Sequence, residues 1–284
     1  MPRYGLYKAA FEALALPGVP GTLRRFSAAR GLIFTLHRVL PDAPAPFAPN
    51  SILQIRPDFL EAVILRARKA GFDIVDLDEA ARRIIAEGAK PFIVLTFDDG
   101  YRDNLVHALP ILRKHAAPFT LYIPTGLIDG VGLVWWQALE DIIAANDVVV
   151  FEMPEGPYYG DGGTLEQKSA TFAQVYERYR KMPEIEQSAN VLEAQFGKRP
   201  KHLSYPIGGV AAAGPREFAA ATDLGFAPAV TTRPGGLYAE HAAHMNALPR
   251  VSLNGLFQEK RFIDVFLTAE VFTLMRRGRR LDVE

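Results

Sequence analysis

Residues 92–104 read FIVLTFDDGYRDN, an apolar run that stops at two adjacent carboxylates and a glycine. Phe92, Ile93, Val94, Leu95 and Phe97 have strand-like character and suit a strand buried among its neighbours. Asp98 and Asp99 then emerge at its carboxyl end, where α/β sheets and barrels keep their sites. Successive strand residues point to opposite faces, but a chain turning at Gly100 lets both carboxylates face one pocket. One can then bind a hard cation while the other takes a proton from a metal-bound water. Acidic residues at a helix N-terminus give the same local pattern, and spacing alone does not separate the two readings.

Outward from this strand the chain alternates. Upstream, GLIFTLHRVL (31–40) is a short buried strand ending at His37 and running into a Pro-rich loop. PDFLEAVILRARKAG follows as a helix with Pro57 at its start and Gly71 at its end. FDIVDL and DEAARRIIAEG give a strand and a helix. Downstream come a helix over Leu105 to His115, the strand PFTLYIP and a helix around WWQALEDIIAAN. Strands and helices at this spacing indicate parallel β-α units. Asp147 to Met182 breaks the rhythm with a hairpin-like stretch and an amphipathic helix, an insertion at about 147–182. IEQSANVLEAQFGKRP is a further helix, and HLSYP, PREFAAATDLG, FAPAVTT and ALPRVSL resume the alternation. At the front, Leu6 to Leu16 reads as a helix closed by a break at Pro17 to Gly21. The expected division is a helical segment over 1–30 and one domain over 31–284.

Composition narrows the function classes. Basic and acidic residues balance at 32 each over 284 residues, so no nucleic-acid or polyanion partner is implied. Cysteine is absent, which removes disulfides, thiolate nucleophiles and thiolate metal ligands, and leaves any metal to His, Asp or Glu. No secretory leader and no bilayer-spanning apolar run is read, so the expected location is the cytoplasm, although the front helix could lie on a membrane. The basic stretch RRGRR (276–280) reads as a solvated helix end.

TFDDG (96–100) with YRDN behind it, the helix HALPILRKH, the strand PFTLYIPTG, the LVWWQALEDII segment and SYPIGG followed by AAAGPREF resemble the polysaccharide deacetylases, including the nodulation-type chitooligosaccharide deacetylases. The resemblance covers about Gly31 to Leu253. It implies an α/β fold, a distorted (β/α) barrel of parallel strands. The implied activity is that of a hydrolase that removes N- or O-acetyl groups from an acetylated oligo- or polysaccharide, using a divalent metal such as zinc. By the same resemblance Asp98 is the general base and Asp99 a metal ligand. Tyr205, Pro206, Ile207 and Gly208 form the groove turn, in which the backbone N–H of Ile207 holds the oxyanion. Ile207 stands where the family usually has tyrosine, a change that a backbone donor survives. Without the resemblance, YPIGG reads as a tight turn after a strand. The family's general acid lies in a Leu-x-His strand near the carboxyl end. ALPRVSLNGLFQ has no His, whereas Phe34 to Val39 resembles the Tyr-His-Arg-Val form of a permuted branch, which makes His37 the acid. A lone His at a strand end is otherwise a structural side chain.

One family element is missing. Between Asp99 and Tyr205 only His107, His115 and His202 occur, none with a partner four residues away, so the His-(Ser/Thr)-x-x-His metal motif is absent. Glu184-Ile185-Glu186-Gln187-Ser188, which in the family follows the histidine segment, here comes almost directly after the insertion, so an internal deletion near Met182 and an incomplete barrel are expected. Three readings follow: a metal-dependent carbohydrate deacetylase, a degenerate homologue that binds glycan or acts as a scaffold, and a different α/β enzyme using the Asp pair with magnesium. The last lacks any phosphate-cradling glycine loop.

Overall fold

The computed structural model describes residues 2–124, 134–153, 156–179 and 201–284. The expected helix in IEQSANVLEAQFGKRP and the junction near Met182 lie outside these residues. At the centre, β1 (Gly31–Leu36) and β5 (Phe92–Phe97) pair in parallel along their whole length, Gly31 with Phe92 through Leu36 with Phe97. β11 (Val251–Ser252) joins the far side of β1, and β4 (Asp73–Ile74) and β6 (Thr120–Leu121) pair with opposite ends of β5. β9 (Leu203–Ser204) pairs in parallel with β10 (Ala229–Val230), and Val230 bridges in parallel to Leu248, just ahead of β11. The described strands thus run β9, β10, 248–252, β1, β5 and then β4 with β6. Among the described residues no pairing joins β6 to β9. β2 (Arg38–Val39) and β3 (Gln54–Ile55) form a separate short parallel pair.

Every residue of β1 and β5 is buried, as their unalternating sequences require. Leu32, Phe34 and Leu36, with Ile93, Leu95 and Phe97, pack against the helices Pro57–Lys69 and Lys260–Phe266. Ile33, Phe92 and Val94 face the opposite way, onto Val230, Leu237 and Leu248. Each such side chain contributes roughly 1.5–3 kcal/mol by leaving water. Gly31 is required at its register position, because an added Cβ would lie 2.7 Å from the Phe92 carbonyl oxygen.

The front of the chain differs from the sequence expectation. The first helix is Pro2–Leu14, and the proposed break holds a second helix, Val19–Arg25. Gly18 takes φ +88° immediately before the second helix, whose Thr22 N–H donates to the Gly18 carbonyl, and Pro20, lacking an N–H, fits the opening turn of that helix. Phe11 packs on Phe257, Phe262 and Phe266, so these helices share the main core. The strand in PFTLYIP shortens to Thr120–Leu121, and the helix after the Asp pair opens with a wide turn over Asn104–Ala108.

The insertion is a β-hairpin, β7 (Val148–Met153) with β8 (Gly156–Asp161), and the helix Leu165–Tyr179. With the helix Trp135–Ala145 it builds a small core of its own, from Leu139, Ile143, Val149, Phe172 and Val175. Phe47 of the Pro-rich loop packs on it. Trp135 lies 5.1 Å from Tyr176 and belongs to this cluster, whereas the Trp136 indole N–H donates to Tyr101 Oη at 2.7 Å. Among the described residues no helix is long and apolar enough to cross a membrane.

Candidate active site

The parallel register sets the site. Asp98 follows Phe97 and His37 follows Leu36, so the two stand side by side at the carboxyl ends of β5 and β1, and the Asp98 N–H donates to the Leu36 carbonyl at 2.9 Å. Asp99 and Gly100 both take left-handed backbone, with φ +69° and +63°. This is the turn that the glycine suggested. For Asp99 it carries a strain of about 1 kcal/mol or more, of the kind that functional loops hold. The groove turn repeats the device, with Ile207 at φ +60° and Gly208 at +59°. A Cβ on Gly208 would sit 2.9 Å from the Thr232 backbone nitrogen, so only glycine fits there.

Arg250 organises the pocket. It is 1% exposed, and Asp98 is 9% exposed. Its Nη1 and Nη2 donate to Asp98 Oδ1 and Oδ2, both at 2.8 Å, a planar two-point grip. Nη1 also reaches Thr96 Oγ1 at 3.2 Å, Nη2 reaches Ser204 Oγ at 2.8 Å, and Nε reaches the Thr231 carbonyl at 2.9 Å. All five guanidinium donors are therefore used. The Thr96 hydroxyl in turn donates to the Phe34 carbonyl at 2.8 Å. One side chain thus ties β1, β5, β9 and the residue after β10 together around one carboxylate. In the sequence ALPRVSL continues the strand-helix alternation and lacks a histidine, and neither feature points to its arginine. The available signal was an arginine among strand residues expected to be buried, since an arginine is almost never buried unpaired.

The sequence-proposed residues separate by position. Asp98, Asp99 and His37 gather at the β1 and β5 ends, and Ser204 links them to the 205–208 turn. The Tyr205 side chain turns away, its hydroxyl donating to the Asn246 carbonyl at 2.8 Å and its ring against Phe218. Ile207 is exposed, and Thr232 Oγ1 binds its carbonyl at 2.7 Å. Burial raises the Asp99 carboxyl to about 7, with the neighbouring Asp98 charge adding to it. Burial lowers the His37 imidazole below its ordinary value, against the attraction of Asp98. Tyr122 lies beside the pair with Arg250 5.7 Å from its ring centre, and its buried hydroxyl has no partner among the described residues. Tyr101, two residues past Asp99, is pushed up to about 12, by burial first and then by the Asp99 charge.

These donors do not fit a catalytic zinc ion, which needs three protein ligands. Both Asp98 oxygens are taken by Arg250. His115 is paired with Glu61 at 2.7 Å, and His202 with Asp78 at 3.3 Å. The His241 Nδ1 accepts from the Tyr238 N–H at 3.0 Å. Among the described residues no group of three His, Cys, Asp or Glu side chains could hold a metal ion. What the pocket offers is an oriented carboxylate, an imidazole one strand away and exposed backbone at a strained turn.

Comparison with known proteins identifies the family and the fold. The polysaccharide deacetylase family profile matches residues 86–228, half of the chain. Among solved structures, Streptococcus pyogenes deacetylase PplD in complex with acetate is similar at a TM-score of 0.57 and 19% identity, covering 85% of this chain and 99% of that one. IcaB from Ammonifex degensii gives 0.54 and 17%, over 85% and 98% of the two chains. A de-N-acetylase from Aggregatibacter actinomycetemcomitans gives 0.53 and 15%, over 84% and 99%. At such identities the structural likeness is one of fold. No curated protein matches the chain.

Proposed function

Because this chain belongs to the polysaccharide deacetylase family, we propose that it engages an acetylated oligo- or polysaccharide at the carboxyl ends of β1, β5 and β9, and that it hydrolyses the acetyl group weakly or not at all. The observation that carries this reading is the grip of Arg250 on both Asp98 oxygens, with no third metal-ligating group beside Asp99 among the described residues. Arg250 fixes the Asp98 carboxylate in direction, as suits a base that takes a proton from water. The Ile207 backbone N–H is the donor assigned to the developing oxyanion. His37 is the acid for the leaving group, yet burial lowers its pKa and so disfavours the imidazolium form that an effective acid needs. A bound divalent cation would supply a Lewis acid and a water of lowered pKa, and without it the barrier rises by several kcal/mol for each.

The test is acetate release from acetylated chitooligosaccharides by the purified chain, with and without zinc or cobalt, beside Asp98→Asn and Asp99→Ala. The expected result is little release, little rescue by metal, and a residual rate that grows as pH falls below about 6.5 and His37 gains its proton. Robust metal-dependent release lost in either variant would overturn the proposal and restore a full deacetylase.

A further inference from the structure

At the amino ends of β1 and β5, opposite the ends that carry His37 and Asp98, lies a cavity of about 490 Å³. Leu32 of β1 is in its wall, with Pro91 just ahead of β5 and Phe72 just ahead of β4. At the rise of a parallel strand, Leu32 and His37 stand about 16 Å apart. Catalytic loops of parallel α/β sheets gather at the carboxyl ends, so the charges of this face need a separate account.

The charged lining is cationic throughout: Arg24 and Arg25, which close the helix Val19–Arg25, and Arg30, which stands just before β1. Arg24 Nη2 lies 3.9 Å from Asp264 Oδ1, beyond hydrogen-bond distance, and its Nη1 has no partner among the described residues. Asp264 is itself shared with Arg66. Arg30 Nη1 donates to the Ile84 and Ala86 carbonyls at 2.5 and 2.7 Å, which fixes the guanidinium without neutralising its charge. Arg25 is exposed and pairs with no carboxylate among the described residues. Two further carboxylates lie close by in the chain. Asp73 is bound by Arg83 and Lys90, and Glu87 is exposed and outside the lining. Three guanidinium groups around one space repel one another, and a dianion between them turns that repulsion into attraction. Their planar forks match phosphate oxygens two at a time. Leu32, Phe72, Pro91 and Leu267 add an apolar wall, which suits an organic body attached to the anion. The volume lies within the roughly 300–1,000 Å³ that small organic ligands fill.

We propose that this cavity binds a phosphate ester, with the phosphate among Arg24, Arg25 and Arg30 and the apolar body against the Phe72 and Leu267 wall. The site goes beyond the carbohydrate reading and does not depend on it. Two sources share this chemistry, a soluble organic phosphate and a phospholipid headgroup, and the exposed Phe26 beside Arg25 offers the second an apolar contact. Calorimetric titration of the full chain with phenyl phosphate tests the first, with phenol as the uncharged control and an affinity expected to be tenfold or more lower. Sedimentation with phosphatidylcholine vesicles, with and without phosphatidic acid, tests the second. Arg25→Glu reverses an exposed cavity charge, and Ala89→Trp fills the space from the loop between the helix Leu77–Ile85 and β5 with every charge kept. Each should weaken binding tenfold or more in whichever arm shows it. Arg113→Glu, at an exposed arginine outside the lining, should leave it unchanged. Saturable binding of phenyl phosphate with these effects assigns a soluble ester; co-sedimentation alone, lost in Ala89→Trp, assigns a lipid headgroup. Should one cavity variant fail to fold, the other, set against Arg113→Glu, decides. No binding in either arm, an equal loss in Arg113→Glu, or folded cavity variants that bind as the wild type does would overturn the site and leave the carbohydrate reading standing.

Discussion

At the scale of single residues the molecule turns on Arg250. A guanidinium with five placed donors compensates a buried carboxylate, and removing it leaves Asp98 with a desolvated, unpaired charge. Arg250→Ala is therefore expected to cost about 3–5 kcal/mol in denaturant unfolding, whereas Arg250→Met combined with Asp98→Leu should recover most of it. A double variant as unstable as the single one would show that the bonds to Thr96, Ser204 and Thr231 outweigh the ion pair. This residue also marks where the sequence stopped being legible. Asp98 and Asp99 announced themselves by interrupting an apolar run, and His37 by ending one. Arg250 makes its contact 152 positions from Asp98, and nothing local in Pro249-Arg250-Val251 says which carboxylate it meets.

At the scale of elements, β1 and β5 were readable because burial on both faces leaves an unbroken apolar run. β4, β6 and β9 pair over only two residues each, so periodicity could place them but not measure them. The short turn Ala239–Ala243 shows an element that no pattern announced. There the His241 ring is 1% exposed, stacks near Tyr238 and accepts that residue's N–H through Nδ1, so it must be neutral. Burial lowers its pKa to about 4, below the ordinary 6.5. Between those values the unfolded chain binds a proton that the folded chain refuses. Stability is thus complete above about pH 6.5 and declines toward pH 4, by up to about 3 kcal/mol. Urea unfolding across this range should show the decline in the wild type and a flatter profile in His241→Asn, which keeps an acceptor but cannot titrate. Parallel profiles would assign the acid sensitivity elsewhere.

At the scale of the whole molecule, the insertion and the helix Trp135–Ala145 carry a core distinct from that of the sheet. Units with their own apolar cluster open below the global free energy. Native-state hydrogen exchange should find 135–153 and 156–179 exchanging at lower denaturant than β1 and β5, with Phe172→Ala widening the gap. Equal protection in both regions would show one cooperative unit. The linkage through Arg250 has a further consequence, in time. Three of its four partners lie 46 to 154 positions away along the chain, at Ser204, Asp98 and Thr96. Contacts of such separation form late, because loop closure precedes their reward. Until residue 250 docks, the end of β5 carries an uncompensated charge that favours water over the sheet. A refolding chain would therefore pair β1 with β5 early and hold the pocket open to solvent until the last central strand arrives, so that the site matures as the final step of folding.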